Sequence, residues 1–251
     1  MKSKTYLAGN YAFKTDIGKV RLNNEDRAIA LTNIKGNILL IVCDGMGGSN
    51  KGEYAASIAV KMISDSFKKK QKFFSKLQAI SWARKQIYDA NKEIYNESYR
   101  NRAYEGMGTT ITLALILWDT LVVINAGDSR LYEIKNRKLE QITEDQTYVG
   151  YLYRTGKITQ EEAKTHPKRH MLMNALGINP VVSMDVKILP YNNETILVCS
   201  DGLYNNVSEK DIEAILKSDD SPEQKVNELI SLSNANGGSD NIATIVWEAK
   251  N

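Results

Sequence analysis

The sequence predicts an α+β sandwich, in which sheets pack together and helices cover them. Two observations predict this class: strand-like apolar runs recur along most of the 251 residues, and two long amphipathic helices interrupt them near the start. Strands and helices therefore do not alternate regularly, as they do in a doubly wound parallel sheet. No linker divides the chain, so we expect residues 1–251 to form a single domain.

Strand signals are runs of β-branched, aliphatic and aromatic residues between turn residues. They occur at residues 5–13, 27–32, 38–43, 109–117, 120–125, 130–135, 182–188, 195–199 and 242–247. The short connection Trp118-Asp119-Thr120 predicts an antiparallel hairpin between two of these runs. The runs that end at Cys43 and Cys199 have near-identical endings, so we expect these two strands to lie side by side.

Helix signals are apolar residues repeated every three or four positions. Residues 51–67 carry Ala55, Ile58, Ala59, Met62, Ile63 and Phe67 on one face, and residues 75–99 repeat the pattern with Leu77, Ile80, Ile87 and Ile94. We expect these two helices to cover one side of a sheet. Further helices are predicted over 159–164, 208–216 and 222–234, with Ser208 as an N-cap.

Residues 143–180 form a polar stretch in which the core pattern lapses. An insertion of this size is often a mobile lid or a flap that contacts the substrate. We therefore predict a flap over residues 143–180, and we expect His166 to belong to its structure.

The composition excludes several classes of function. The 33 basic residues are dispersed among 30 acidic ones, and a net charge of +3 without a basic stripe argues against nucleic-acid binding. No apolar run approaches the ~20 residues of a membrane span. Cys43 and Cys199 both end apolar runs, so we expect buried, reduced thiols and a cytoplasmic protein.

Five short acidic segments, most of them where an apolar run meets a glycine, indicate the functional site. They are Asn23-Asn24-Glu25-Asp26, Asp44-Gly45-Met46-Gly47-Gly48, Gly127-Asp128-Ser129-Arg130, Ser200-Asp201-Gly202 and Ser239-Asp240-Asn241. An aspartate at the rim of a core is costly to desolvate unless a positive charge lies opposite. Oxygen-only ligands favour Mg²⁺ or Mn²⁺, although each acid taken singly could be a turn or cap carboxylate.

Asp44 is the candidate for a carboxylate that bridges two cations. Two divalent cations at the ~3.5–4 Å separation of two-metal sites repel each other, so one carboxylate usually lies between them. Asp44 follows the apolar run 38–43, and the next residue, Gly45, leaves its own carbonyl free to bind. The other candidate ligands lie in the remaining acidic segments: Glu25, Asp128, Asp201 and Asp240.

Together and in this order, the segments resemble the metal-dependent protein Ser/Thr phosphatases of the PPM, or PP2C, family, in particular its bacterial members. The resemblance covers nearly the whole chain, at residues 16–18, 21–26, 44–48, 52–53, 56–57, 108–110, 126–130, 200–203 and 238–241. It implies a four-layer αββα sandwich of two antiparallel β-sheets flanked by helix pairs, with the flap as an insertion.

The resemblance implies a metal-binding role for most of the acids. Asp44 would bridge both metal ions, the Gly45 carbonyl would bind the second, and Asp201 and Asp240 would complete the first. Glu25 would hold water on the second ion. In bacterial members a third ion is bound by a pair that corresponds here to Asp128 and Asp201. The implied cofactors are two or three Mn²⁺ or Mg²⁺ ions.

The implied reaction is hydrolysis of phosphoserine and phosphothreonine in proteins, without a phosphoenzyme intermediate. A water shared by the metals would attack phosphorus in line. Arg21 would grip the phosphate, because a guanidinium fork meets two phosphate oxygens at once. The expected partners are phosphoproteins, among them a bacterial Ser/Thr kinase, and the chain is expected to be a monomer.

Two positions depart from the family pattern. Met46 stands where many eukaryotic members carry a histidine, and Gln146 replaces the histidine of a frequent Asp-His pair, which leaves its role open. Two alternatives are a phosphatase dedicated to one regulatory partner and a catalytically silent relative that binds phosphoproteins. Silent relatives typically lose metal-binding acids, whereas Asp44, Asp201 and Asp240 are all present.

Overall fold

The computed structural model describes residues 8–48, 51–70 and 72–250. In chain order the strands are β1 (Gly9–Asp16), β2 (Arg27–Thr32), β3 (Ile38–Cys43), β4 (Gly45–Met46), β5 (Gly108–Thr109), β6 (Ile111–Leu117), β7 (Thr120–Ala126), β8 (Arg130–Lys135), β9 (Lys138–Gln141), β10 (Asp185–Pro190), β11 (Thr195–Cys199) and β12 (Ile242–Ala249). The helices are α1 (Lys51–Lys69), α2 (Lys76–Arg100), α3 (Tyr148–Arg154), α4 (Gln160–Thr165), α5 (Asp201–Tyr204), α6 (Glu209–Leu216) and α7 (Pro222–Ala235), with a short 3₁₀ helix at Arg102–Tyr104.

The strands form two large antiparallel sheets that stack face to face. The first sheet has the order β1-β12-β11-β8-β9 and the second has the order β10-β7-β6-β3-β2, while β4 and β5 form a small separate pair. Helices α1 and α2 pack on the second sheet, and α6 and α7 pack on the first. The predicted α+β fold, a four-layer αββα sandwich, is confirmed.

Strand β3 shows how the sequence builds these layers. All of its residues are buried, because it is an inner strand that is covered on both faces. Leu39 and Ile41 pack in the cluster formed with α1 and α2, whereas Leu40 and Val42 lie in the core between the two sheets. A continuous apolar run is typical of a strand buried on both faces.

Two predictions about packing are wrong. Strands β3 and β11 do not lie side by side; they belong to opposite sheets and meet in the core between them. Leu77 does not lie on the buried face of α2, because its side chain is 77% exposed. The buried face of α2 is built largely from Ala79, Ala83 and Ala90, whose small side chains let the helix approach its neighbours closely.

Most predicted boundaries lie within a few residues of the observed ones. The first strand was predicted over 5–13, but it begins at Gly9 and continues to Asp16, and residues 5–7 lie outside the described residues. Ser208 caps α6 as predicted, since its side chain accepts the N–H of Asp211. Elements β4, β9, α3, α5 and the 3₁₀ helix were not predicted, because each is too short to show a periodic pattern.

Residues 143–180, the segment that was predicted to be a flap, contain α3 and α4 and return to the sandwich beside β5. There the N–H groups of Thr109 and Leu176 donate to each other's carbonyl oxygens, at 3.1 and 2.8 Å. Thr159 and Glu162 form a capping box at the start of α4. No helix in the described part of the chain combines the length and apolar character needed to cross a membrane.

Candidate metal centre

Asp44 and Asp201 meet because the sandwich stacks β3 on β11. Asp44 directly follows β3, and Asp201 begins α5 just after β11 ends. Their carboxyl groups lie within hydrogen-bonding reach of each other. The Asp44 backbone is fixed by two threonines: its carbonyl accepts the N–H of Thr110 at 2.8 Å and the hydroxyl of Thr109 at 3.0 Å.

Asp128 and Asp240 reach the same place from other elements. Asp128 lies in the turn between β7 and β8, and Asp240 lies in the loop before β12. The charges of both act on Asp44, as do those of Asp201 and Asp26. The structure therefore brings together one aspartate from each of the five acidic segments.

Asp26 had no predicted role, yet it is the most deeply buried of these aspartates, at 1% exposed. The Ser200 hydroxyl donates to its Oδ2 at 2.6 Å, and the same hydroxyl oxygen accepts the N–H of Ala243 at 2.8 Å. Desolvation, reinforced by the charges of Asp201 and Asp240, raises the pKa of Asp26 to about 8. The sequence signal that could have identified Asp26 as a site residue is its position directly before strand β2, in the same acidic segment as Glu25.

Desolvation is also the largest cause of the raised pKa values elsewhere in this carboxylate cluster. It raises the pKa of Asp44 well above its usual range, that of Asp128 to about 8 and that of Asp201 to about 6. In each case the charges of neighbouring aspartates add to the effect. Such a cluster retains protons near neutral pH unless a bound cation replaces them.

Gly45 brings its backbone against the start of α1. A Cβ at Gly52 would lie 2.4 Å from the carbonyl carbon of Gly45 and 2.5 Å from the nitrogen of Met46. A Cβ at Gly45 would lie 2.6 Å from the carbonyl oxygen of Glu25. Only glycine allows these three backbone segments to approach so closely.

We expect Gly52→Ala to lower the free energy of unfolding by about 3 kcal/mol, because two backbone segments must separate to admit the methyl group. Urea denaturation measures this loss. Gly48→Ala is the matched control: Gly48 has a φ of +65°, and among the residues that the structure describes no atom lies within 4 Å of its Cβ position. It should cost only about 1 kcal/mol of backbone strain. Equal losses in the two variants would contradict the close-approach argument.

Glu25 supplies an oxygen that lacks a partner among the described residues. Its Oε1 is buried and accepts no hydrogen bond, which costs about 1–3 kcal/mol unless a cation or water satisfies it. Within residues 8–48, 51–70 and 72–250, no three Asp, Glu, His or Cys side chains are already grouped as ligands of one metal ion. Three other observations indicate that a hard cation would fit here: all the donor atoms are oxygens, the carboxylates repel one another, and this Glu25 oxygen has no partner among the described residues.

Arg21 extends over the carboxylate cluster from the loop that follows β1. Its Nη2 lies 2.7 Å from Oδ2 of Asp240, and its side chain remains 54% exposed. The hydrogen bond to Asp240 raises the pKa of Arg21, and the charges of Asp201 and Asp44 act in the same direction. A permanently charged guanidinium on the open side of the cluster can receive an anion.

His170 is a second residue at the site that was not predicted. Its Nδ1 lies 4.0 Å from Oδ2 of Asp201, and its side chain is 60% exposed. Desolvation, followed by the charge of Arg169, lowers the pKa of His170. His166 contacts Tyr148 within the flap, with 6.0 Å between ring centres.

Gln146 joins the flap to the turn that carries Asp128. The backbone N–H of Gln146 donates to the carbonyl of Gly127 at 3.0 Å, and its side-chain Oε1 accepts the backbone N–H of Gly127 at 3.1 Å. Its Nε2 donates to Oδ2 of Asp185 at 2.8 Å. The residue whose role the sequence left open therefore links the flap base, the Asp128 turn and the start of β10.

The raised pKa values predict that the metal-free protein loses stability as the pH rises. With pKa values of about 8 for Asp26 and Asp128 and about 6 for Asp201, the folded state binds more protons than the unfolded chain. The carboxyls of the unfolded chain titrate near pH ~4, so this contribution to stability is present below pH ~4 and is lost as the pH approaches ~8.

Mn²⁺ should therefore raise the melting temperature more at about pH 8 than at about pH 5. At about pH 5 the ion must displace protons from the carboxyl groups, whereas at about pH 8 most of these protons have already dissociated. Thermal unfolding with EDTA or Mn²⁺ across this range measures the difference. A metal-free melting temperature that rises steadily from about pH 5 to 8 would contradict the assignment of the raised pKa values.

Comparisons with known proteins identify the family of the chain. Residues 19–245 match the family model described as Protein phosphatase 2C. Serine/threonine phosphatase stp from Listeria welshimeri is 38% identical over 237 residues, which cover 94% of each chain.

Solved structures agree as well. Serine/threonine phosphatase Stp1 from Staphylococcus aureus superposes with a TM-score of 0.92 at 35% identity, covering 98% of both chains. The catalytic domain of the phosphatase PstP, in complex with 2 manganese ions, gives a TM-score of 0.86 at 30% identity over 98% of this chain and 100% of that one. These matches confirm the resemblance predicted from the acidic segments, and the chain belongs to the protein phosphatase 2C family.

Proposed function

We propose that the protein hydrolyses phosphoserine and phosphothreonine in other proteins, and that two or three Mn²⁺ or Mg²⁺ ions assist it. The observation that carries this proposal is the approach of Asp44, Asp201 and Asp240 to one another beside the guanidinium of Arg21. Relatives that are named serine/threonine phosphatases, one of them bound to two manganese ions, support it.

The carboxylate cluster would hold the ions. Asp44 would bridge two of them, with the Gly45 carbonyl and Glu25 on the side of one ion and Asp201 and Asp240 on the other. Asp128, next to Asp201, would contribute to a third site. When bound, the ions supply positive charge that lowers the pKa of water and offsets the charge of the phosphoryl group.

Arg21 would bind and orient the phosphate. Its exposed guanidinium can exchange the Asp240 carboxylate for two oxygens of an incoming phosphate, which is a planar, bidentate contact that a lysine cannot make. Water then attacks phosphorus in line, and the Ser or Thr oxygen of the substrate leaves on the opposite side. Fixing this geometry is a large part of catalysis in phosphoryl transfer.

Direct attack by water is supported by the state of the neighbouring thiols and hydroxyls. Burial raises the pKa of Cys199 to about 12 and also raises that of Cys43, so neither is a thiolate at neutral pH. The Ser200 hydroxyl donates to Asp26, and the Ser129 hydroxyl is hydrogen-bonded to that of Thr110 at 2.8 Å. These four side chains offer no activated nucleophile for a phosphoenzyme.

We further propose that residues 1–251 act as a monomeric, single-domain enzyme in the cytoplasm, with residues 143–180 as its flap. One family model that spans residues 19–245 supports the single domain. Its substrates would be phosphorylated proteins that include a Ser/Thr kinase of the same cell.

Hydrolysis assays test the proposed function. The purified protein should release phosphate from p-nitrophenyl phosphate and from a phosphothreonine peptide in Mn²⁺, and EDTA should abolish this activity. A phosphotyrosine peptide of the same sequence is the matched control and should be a much poorer substrate. Binding of the phosphothreonine peptide without any hydrolysis would favour a catalytically silent relative instead.

A further inference from the structure

Asn241 joins the segment before β12 to the loop of residues 17–25. Its Oδ1 accepts the N–H of Glu25 at 2.9 Å. Its Nδ2 donates to the carbonyl oxygens of Ile17 and Asn23, both at 2.9 Å. One side-chain amide therefore contacts both ends of this loop at the same time.

The backbone of Asn241 is placed as closely as its side chain. Its N–H donates to Oδ1 of Asp240 at 2.8 Å, so the same residue orients a carboxylate of the site. Its carbonyl oxygen lies 2.0 Å from the position that a Cβ of Gly202 would take, so α5 packs directly against it. Asn241 is only 6% exposed, which leaves little room for water to replace these contacts.

The middle of loop 17–25 is exposed, and this part carries Arg21. Val20 is 66% exposed and Leu22 is 91% exposed, so the neighbours of Arg21 contribute little packing to its position. The hydrogen bonds from Asn241 fall on either side of this exposed tip. A further contact, from the N–H of Lys19 to the carbonyl of Gly238 at 2.8 Å, holds the loop to the same segment.

We infer that Asn241 is a positioning residue for the reaction, which fixes Arg21 relative to Asp240 and Asp201 by holding both ends of loop 17–25. This inference rests on the proposed function, because phosphate binding by Arg21 is part of it. The side-chain amide is required at this position because it provides both a hydrogen-bond acceptor, Oδ1, and a hydrogen-bond donor, Nδ2. Aspartate would keep the acceptor for the N–H of Glu25 but lose both donors, and alanine would lose all three contacts.

Hydrogen–deuterium exchange of the metal-free protein tests the structural step without any assay of activity. In Asn241→Ala and Asn241→Asp, amides of residues 17–26 should exchange at least about tenfold faster than in the wild type, because the loop ends are released. Asn37→Ala is the matched control: Asn37 is also a buried asparagine, 2% exposed, and lies just before β3 at the end remote from Asp44. Its substitution should leave exchange of residues 17–26 unchanged.

A double-mutant cycle tests the catalytic step. Asn241→Ala should lower kcat/KM for a phosphothreonine peptide by about 100-fold, the scale of a ~1 Å misplacement of a binding group. In an Arg21→Ala background the same change should cost less than about threefold, because Arg21 is no longer there to be positioned. Asn37→Ala should stay within about twofold of the wild type, as expected for a site far from the chemistry.

Two results would overturn the inference. One is unchanged exchange of residues 17–26 in both Asn241 variants; the other is an equal loss of kcat/KM with and without Arg21. A wild-type protein that hydrolyses no phosphopeptide would instead refute the proposed function, and the exchange measurement would still decide whether Asn241 holds the loop.

Discussion

Asp44→Asn is expected to lower metal-dependent phosphatase activity by at least ~10³-fold, the scale seen when a central catalytic group is removed. Asparagine keeps the shape of the side chain but removes the negative charge proposed to lie between two cations. In the metal-free protein the same substitution should increase the free energy of unfolding near pH 8. The reason is that desolvation and neighbouring aspartates raise the pKa of Asp44, so its charged form opposes folding.

The two effects are measured separately, as kcat/KM for a phosphothreonine peptide in saturating Mn²⁺ and as urea unfolding in EDTA. Asp65→Asn is the matched control, because Asp65 lies on α1 in an ion pair with Lys61 on the protein surface. It should change kcat/KM less than about twofold and stability by less than ~1 kcal/mol. An Asp44→Asn variant that is active, or that is less stable than the wild type in EDTA, would contradict this account.

Arg21→Ala is expected to lower kcat/KM by about 10²-fold, which is typical of removing one charged group that binds the transition state. It should also weaken inhibition by inorganic phosphate, because the exposed guanidinium is the proposed contact for the phosphate oxygens. Arg21→Lys should recover less than about tenfold of the loss, since an ammonium group keeps the charge but lacks the bidentate fork.

Arg84→Ala, an exposed arginine on α2, is the control for the loss of one positive charge. It should leave both kcat/KM and phosphate inhibition near the wild-type values. Full activity of Arg21→Lys would show that the fork is not used, and unchanged phosphate inhibition in Arg21→Ala would remove Arg21 from the phosphate site.

Strands β3 and β11 were predicted at their observed bounds, and the physical reason is their burial. Strands β3 and β11 are apolar at nearly every position and end where an aspartate must leave the core. Their pairing was predicted wrongly, because a strand buried on both faces has the same composition in either sheet. Only the assembled sandwich shows that β3 and β11 face each other and that Asp44 and Asp201 meet for that reason.

The acidic segments predicted that Asp44, Asp128, Asp201 and Asp240 lie near one another, but they predicted neither the addition of Asp26 nor the residues that support the cluster. Asp26 depends on the hydroxyl of Ser200, and Asn241 depends on backbone atoms of loop 17–25. These contacts join residues far apart in the chain, so neither local composition nor periodicity reports them. Gln146 is similar, because its role is visible only once the flap and the Gly127 turn lie together.

A crystal structure determined in Mn²⁺, with anomalous scattering recorded at the manganese edge, would show whether Asp44 binds two manganese ions. We expect at least two anomalous peaks in contact with the Asp44 carboxylate, one shared with Asp201 and Asp240 and the other beside the carbonyl of Gly45. Peaks confined to other parts of the protein, with no manganese bound by Asp44 at saturating concentration, would contradict it.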